Sequence, residues 1–287
     1  EFRNLGIMRA MDDGISLDTD NSNIWIHHID VFYGKAGGGD HAKGDGAIDV
    51  KSNSKFVTID HCHFWDTGKS SMCGMKSESG PNYITYHHNW FDHSDSRHAR
   101  VRTMSVHLWN NFYDGCAKYG IGATTGSSVF SENNYFRATK DPILISLQGT
   151  DAKGSGTFSG ESGGMVKEYG SIFAEKGSGS NYSPITYAAD NKSFDFYQAA
   201  SRDEQVPSSV VSLNGGNTYN NFDTNPSLMY SYTPDATAAV PSRVTGYYGA
   251  GRLNHGSLQF KFDNAVEDTN DAPIPALETL IDAYAGE

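Results

Sequence analysis

Arg97-His98-Ala99-Arg100-Val101-Arg102 places three guanidiniums within six residues, and Val106-His107-Leu108-Trp109-Asn110-Asn111-Phe112-Tyr113 follows almost at once. A guanidinium offers a rigid fork of donors that matches a carboxylate, so the cluster is a ready surface for an acidic ligand. Side chains alternate faces along a strand, which sends Arg100 and Arg102 the same way and lets Arg97 join them only across a turn. An exposed arginine cluster paired with nearby acids is the commoner meaning of such a stretch taken alone. The chain carries a formal charge of −12. A basic groove is therefore a local feature on an acidic molecule.

Two further sets of charged residues precede the arginines. Gly44-Asp45-Gly46-Ala47-Ile48-Asp49 holds two carboxylates four residues apart, and Asp12-Asp13-Gly14-Ile15 lies about one long repeat earlier. Asp beside Gly is ordinarily a turn former. If the segments stack as neighbouring strands, ~4.8 Å apart, Asp13, Asp45 and Asp49 can converge on one hard cation. Calcium accepts flexible all-oxygen sites of this kind, whereas magnesium demands stricter octahedral geometry. Lys69, in Asp66-Thr67-Gly68-Lys69-Ser70-Ser71, falls between the acids and the arginines, as a groove residue on an intermediate coil would. A solvated side chain is the default for any lone lysine.

A repeat supplies the elements that must position these groups. The segments Ile26 to Val31, Ile59 to Phe64, Tyr86 to Phe91, Leu108 to Tyr113 and Ser131 to Phe136 align on His28, His61, His88, Asn110 and Asn133, in steps of 33, 27, 22 and 23 residues. The position three later is Val31, Phe64, Phe91, Tyr113 and Phe136. Each segment follows a short β-type run, and turns rich in Gly, Ser or Asn lie between them. A period in the twenties with loop insertions implies stacked supersecondary units. No helical pattern separates the strands, which disfavours βαβ units. The predicted fold is all-β, a right-handed single-stranded parallel β-helix with loop insertions. In it Asn89, Asn111 and Asn134 would stack as an amide ladder. After about Lys140 the repeat blurs. Tyr169 to Phe173 and Val210 to Asn214 are candidate further coils, Gly154 to Gly164 reads as loop, and Pro275 to Ala285 has the spacing of a short terminal helix that packs on or caps a coil end. Residues 1–253 are expected to form the β-helix domain and 254–287 an extension packed on it. The opening strand, Phe2 to Met8, suggests that some N-terminal sequence is missing.

Composition narrows the class. Only 37% of the 287 residues are hydrophobic, but 16 Tyr, 15 Phe and 31 Gly describe a folded, turn-rich β protein rather than a disordered one. The acidic balance argues against nucleic acid and anionic membrane surfaces. No apolar run approaches the ~20 residues of a membrane span. Cys62, Cys73 and Cys116 are too few for a disulfide framework, and an odd count leaves at least one thiol out of any intrachain pairing.

These residues resemble the pectate lyase/pectin lyase family of polysaccharide lyases, family 1, over roughly residues 5–150, with Gly249-Ala250-Gly251 similar to the family's C-terminal stretch. Asp45 to Asp49 resembles the family's calcium-binding acid pair, and Asp13 its earlier ligand. Trp25-Ile26-His27-His28 is similar to the Trp-Ile-Asp-His signature. Lys69 falls at the substrate-binding lysine, Arg97 at the catalytic arginine and Arg102 at its substrate-binding partner. His27 departs from the signature Asp, Ala99 from a usual Pro and Met104 from a frequent Gly. The resemblance implies β-elimination across a galacturonate residue. Arg97 would remove the C5 proton, while Ca²⁺, Lys69 and Arg102 neutralise the C6 carboxylate. It implies a secreted or, in a Gram-negative bacterium, periplasmic or outer-surface enzyme acting as a monomer on polygalacturonate. Pectin lyase, which acts on methyl-esterified chains without calcium, would not need the retained acids. A hydrolase would need paired carboxylates around the scissile bond and leaves the arginines without a task. A non-catalytic β-helix that binds acidic glycans is the alternative outside enzymes.

Overall fold

A computed structural model of the chain describes residues 1–154, 158–175, 183–252 and 258–285. The chain winds as a right-handed parallel β-helix with three walls. The first is a six-stranded sheet of Ile15–Leu17, Ile48–Val50, Lys69–Cys73, Ser96–Arg102, Ile121–Thr124 and Ile143–Ile145. The long strand Ser22–Val31 joins the other two. Its first half pairs with Lys55–Asp60 and its second half with His63–Trp65. The second wall continues through Ile84–His87, Ser105–Trp109, Ser128–Glu132 and Met165–Tyr169, and the third through Trp90–Asp92, Phe112–Asp114, Tyr135–Arg137 and Ile172–Ala174. Among the described residues, all pairings between these strands are parallel.

The repeat seen in the sequence is the corner between the second and third walls. His28, His61, His88, Asn110 and Asn133 all have φ between 47° and 53°, the left-handed conformation that turns a strand sharply and that Asn tolerates best among ordinary residues. The next residue points inward as the amide ladder. Asn89 Nδ2 donates to Asn111 Oδ1 at 3.0 Å, and Asn111 Nδ2 to Asn134 Oδ1 at 3.1 Å. Each oxygen also accepts the backbone N–H of the preceding coil, Cys62 to Asn89, Asn89 to Asn111 and Asn111 to Asn134. Two residues on, Phe64, Phe91, Tyr113, Phe136 and Phe173 stack with ring centroids 4.3 to 5.1 Å apart. Aliphatic side chains such as Val50, Ile59, Val101 and Ile121 fill the rest of the interior. Asn111→Ala removes a fully buried amide and leaves the Asn89 N–H and the Tyr86 carbonyl without their partner. A loss of about 3 kcal/mol is expected, measured as a lower urea midpoint at unchanged slope. A loss below about 0.5 kcal/mol would mean that the ladder does not hold the coils together.

The second half of the chain departs from the repeat. Met165–Tyr169 and Ile172–Ala174 extend it, but Val210 to Asn214 does not. There Val211 makes only an isolated antiparallel bridge to Thr218, and the segment is tied instead by single hydrogen bonds to Leu147, Gln148 and Gly163. Within Gly154 to Gly164, residues 155–157 lie outside the described ones, and Gly163 forms an antiparallel bridge to Thr124. The terminal helix runs Pro275–Ala283. Its Leu277 and Ile281 pack on Phe32, Tyr33 and Trp65 beside the third wall, and the Ile274 N–H donates to the Tyr33 hydroxyl at 3.1 Å. The boundary at 253 lies outside the described residues. Cys62, Cys73 and Cys116 are all free and buried.

Candidate active site

The first wall orders the charged residues coil by coil. The Gly14 N–H donates to the Gly46 carbonyl at 2.9 Å, Gly46 pairs with Lys69, and Lys69 pairs with Ser96. Asp13, Asp45, Lys69 and Arg97 therefore stand on four successive turns, with Lys69 between acids and arginines as its position in the chain predicts.

Carboxylate oxygens of Asp12, Asp13 and Asp45 lie within 4.8 Å of one another. Asp13 accepts the Gly46 N–H at 3.0 Å and pairs with the Lys51 ammonium. Asp49, the third aspartate expected from the sequence, is not among the carboxylates gathered within that distance. It is 2% exposed, accepts the Met72 N–H at 2.9 Å and stands 3.6 Å from Lys51 Nζ. Burial, then the charge of Asp13, pushes its carboxyl up to about 7. A Cβ at position 46 would sit 2.6 Å from that carboxyl group, so only glycine admits Asp49 there. The donor set is all oxygen and acidic, with Lys51 on Asp13 and Lys69 on Asp45 as its present counter-charges. It fits a hard divalent cation, and Asp12 stands in it beside Asp13 and Asp45, whereas Asp49 lies buried next to it on Lys51 and the Met72 N–H.

Lys69 is 5% exposed. Its ammonium reaches Asp45 at 3.1 Å, Asp40 at 3.2 Å and the His41 ring at 3.3 Å. The Lys69 hydrogen bond holds Asp40 below the usual carboxylate range. Burial raises Asp45, but the Lys69 hydrogen bond and charge outweigh it and leave that carboxyl low as well. Lys69, Arg97 and Arg100 line one cavity of about 330 Å³ together with Asp40, Lys118 and Tyr119. Strict alternation would separate Arg97 from Arg100. The pairing register shifts between His98 and Arg100, Arg97 has a φ of 63°, and His98 and Ala99 are both fully buried. Arg97 and Arg100 thereby reach the same cavity. Burial, opposed by Tyr119 and aided by Arg102 and Arg97, lowers the Arg100 guanidinium below its ordinary value. Arg102 is not in this lining. Its fork closes on Glu161, Nε to Oε2 at 2.9 Å and Nη2 to Oε1 at 3.2 Å.

The family description "Pectate lyase" matches residues 6–253. The chain belongs to the pectate lyase family. It is 32% identical over 133 residues to a pectate trisaccharide-lyase of Bacillus licheniformis, covering 46% of this chain and 38% of that protein. It is 25% identical over 246 residues to pectate lyase B of Dickeya chrysanthemi, covering 84% and 57%. The fold is shared with pectate lyase C from Erwinia chrysanthemi, whose structure was obtained with Ca²⁺, at a TM-score of 0.56 and 23% identity, covering 84% of this chain and 60% of that one. The chain thus spans about two fifths to three fifths of the length of these two curated relatives.

Within this family member, several groove residues escaped the sequence. Asp40 and His41 come from a short 3₁₀ turn, Gly39–His41, in an insertion where nothing repeats. Lys51 is two residues after Asp49, a spacing that places it on the same face of a strand, and that was the available signal. Glu161 is 59 residues from Arg102 and also binds Lys76 Nζ at 2.8 Å. Burial is outweighed by Arg102 and Lys76, which hold Glu161 well below the usual carboxylate range. Only the return of the chain to the first wall brings it there. Among the described residues, no helix is long and apolar enough to cross a membrane.

Proposed function

We propose that this chain is the catalytic β-helix of a calcium-dependent pectate lyase, which cleaves α-1,4-linked polygalacturonate by β-elimination to unsaturated oligogalacturonides. The observation that carries the reading is the single groove shared by Lys69, Arg97 and Arg100, one coil from a carboxylate cluster fit for a hard cation. Both halves are needed for a polyanionic substrate. The C5 proton is acidic only because it is α to the C6 carboxylate, and an ionised carboxylate stabilises the developing charge poorly. Asp13, Asp45 and Asp49, with Asp12, would hold Ca²⁺, which supplies a positive charge to that carboxylate when bound. The Lys69 ammonium would bind the same carboxylate and stabilise the enolate-like transition state. Arg97 takes the C5 proton. The C4–oxygen bond then breaks, the leaving oxygen is protonated from solvent, and the new sugar end carries a C4–C5 double bond. Arg102 serves productive binding if a substrate carboxylate replaces Glu161 on its fork. The polymer is met outside the cell, so the enzyme is proposed to be secreted and to work as a monomer. Residues 254–287 are proposed to act as a packing extension.

An arginine base sets the pH dependence. An arginine can take a proton only in its neutral form, which alkaline conditions favour. Turnover at saturating Ca²⁺ is expected to climb from neutral into alkaline conditions. A pH–rate profile that follows unsaturated product checks this. A maximum near pH 5 would contradict an arginine base and favour a carboxylic acid mechanism.

A further inference from the structure

A second cluster of side chains with metal-ligating atoms lies on another wall and shares no residue with the groove. At the corner between the second and third walls, His28, His61 and His88 stack with ring centroids 5.0 Å apart at both steps. The residue before each forms a parallel column, His27, Asp60, His87 and then Trp109, in direct strand register. Asp60 is buried at the centre of it. One donor atom each of Asp60, His61 and His87 lies within 4.8 Å of the other two. Asp60 Oδ1 meets His61 Nδ1 at 2.5 Å, and Oδ2 stands 3.7 Å from His87 Nε2.

We propose that Asp60, His61 and His87 form a binding site for a borderline divalent transition cation, with Zn²⁺ as its representative. Two imidazoles and one carboxylate are the protein donors of an open zinc site, in which water takes the fourth position. Nitrogen donors disfavour Ca²⁺, which takes oxygen ligands. The surrounding contacts orient the donors as outer partners of a metal site do. Trp25 Nε1 donates to Asp60 Oδ2 at 2.5 Å. His87 Nδ1 lies 3.0 Å from His88 Nδ1, which leaves Nε2 as the nitrogen that faces Asp60. His88 Nε2 is fixed in turn by Asp235 at 3.3 Å. His61 and His87 are half-buried, so an ion can reach them from solvent. A purely structural ladder of hydrogen bonds is the competing account. It makes no demand that the cluster bind metal, and the proposal needs no part of the lyase reading.

The test is calorimetric titration of the chain with Zn²⁺ in a non-coordinating buffer with excess Ca²⁺, so that the groove carboxylates are not the reporter. One Zn²⁺ per chain with micromolar affinity is expected. His61→Asn keeps a residue that the corner already accepts at Asn110 and Asn133, and His87→Gln keeps a polar side chain. Each should weaken Zn²⁺ binding about tenfold or more. His41→Gln, in the groove, should leave Zn²⁺ affinity as it is. Absence of Zn²⁺ binding, or undiminished binding in both corner variants, would overturn the proposal. The unmodified protein gives a second readout. One equivalent of Cu²⁺ should quench tryptophan emission, because Trp25 contacts Asp60 and Trp109 stacks on His87 at 4.5 Å. Emission that does not change would count against the site.

Discussion

Arg97→Lys is expected to lose turnover on polygalacturonate by about 10²–10⁴ while oligogalacturonate still binds. The substitution keeps one positive charge in the groove, so attraction of the polyanion survives, but it replaces the group placed to take the C5 proton. Loss in kcat with binding retained is the signature of an interaction made in the chemical step. The fall corresponds to about 3 to 5 kcal/mol of transition-state stabilisation. Turnover is read from unsaturated product and binding from calorimetry with an oligogalacturonate. Near-normal turnover in Arg97→Lys would mean that the base is misassigned. Arg100 is then the next candidate, because it lines the same cavity and its guanidinium is lowered by burial and by its arginine neighbours.

Chelation is expected to abolish activity, and added Ca²⁺ to restore it. Asp12, Asp13 and Asp45 crowd their carboxylates within 4.8 Å, and the charge of Asp13 helps push the Asp49 carboxyl up to about 7 after burial. A hard divalent cation held there would add positive charge at the substrate carboxylate to that of Lys69. Asp13→Asn, which removes one charge from the cluster without changing its shape, should raise the Ca²⁺ concentration needed for half-maximal rate. Full activity in excess chelator would contradict the role of the aspartates and favour a pectin lyase, whose esterified substrate has no carboxylate to neutralise.

The wall-to-wall corner was legible in the sequence because each coil must repeat it. Asn89, Asn111 and Asn134 can bond to one another only at a fixed register, and that register shows as an offset from His28, His61 and the residues aligned with them. The order of Asp45, Lys69 and Arg97 along the groove follows from the same stacking. The orientation of the arginines did not follow. Simple alternation sets Arg97 apart from Arg100, whereas the register shift between His98 and Arg100 brings both to one cavity and leaves Arg102 on Glu161. Glu161, Asp40 and His41 sit in insertions, where no neighbouring coil constrains the sequence and hence none announces the contact. The same reason explains Val210 to Asn214. Its residue types are those of a strand, but it bridges Thr218 in a local turn and meets Leu147, Gln148 and Gly163 only through single hydrogen bonds, not a ladder.

The most direct test of the account counts two products of one reaction. Polygalacturonate is incubated with the protein and Ca²⁺, and new reducing ends are compared with the ultraviolet absorbance of unsaturated uronate ends. β-Elimination driven by Arg97 predicts one unsaturated end for every new reducing end, at all extents of cleavage. New reducing ends without the matching absorbance would mean hydrolysis, and would contradict the assignment of this groove to a lyase.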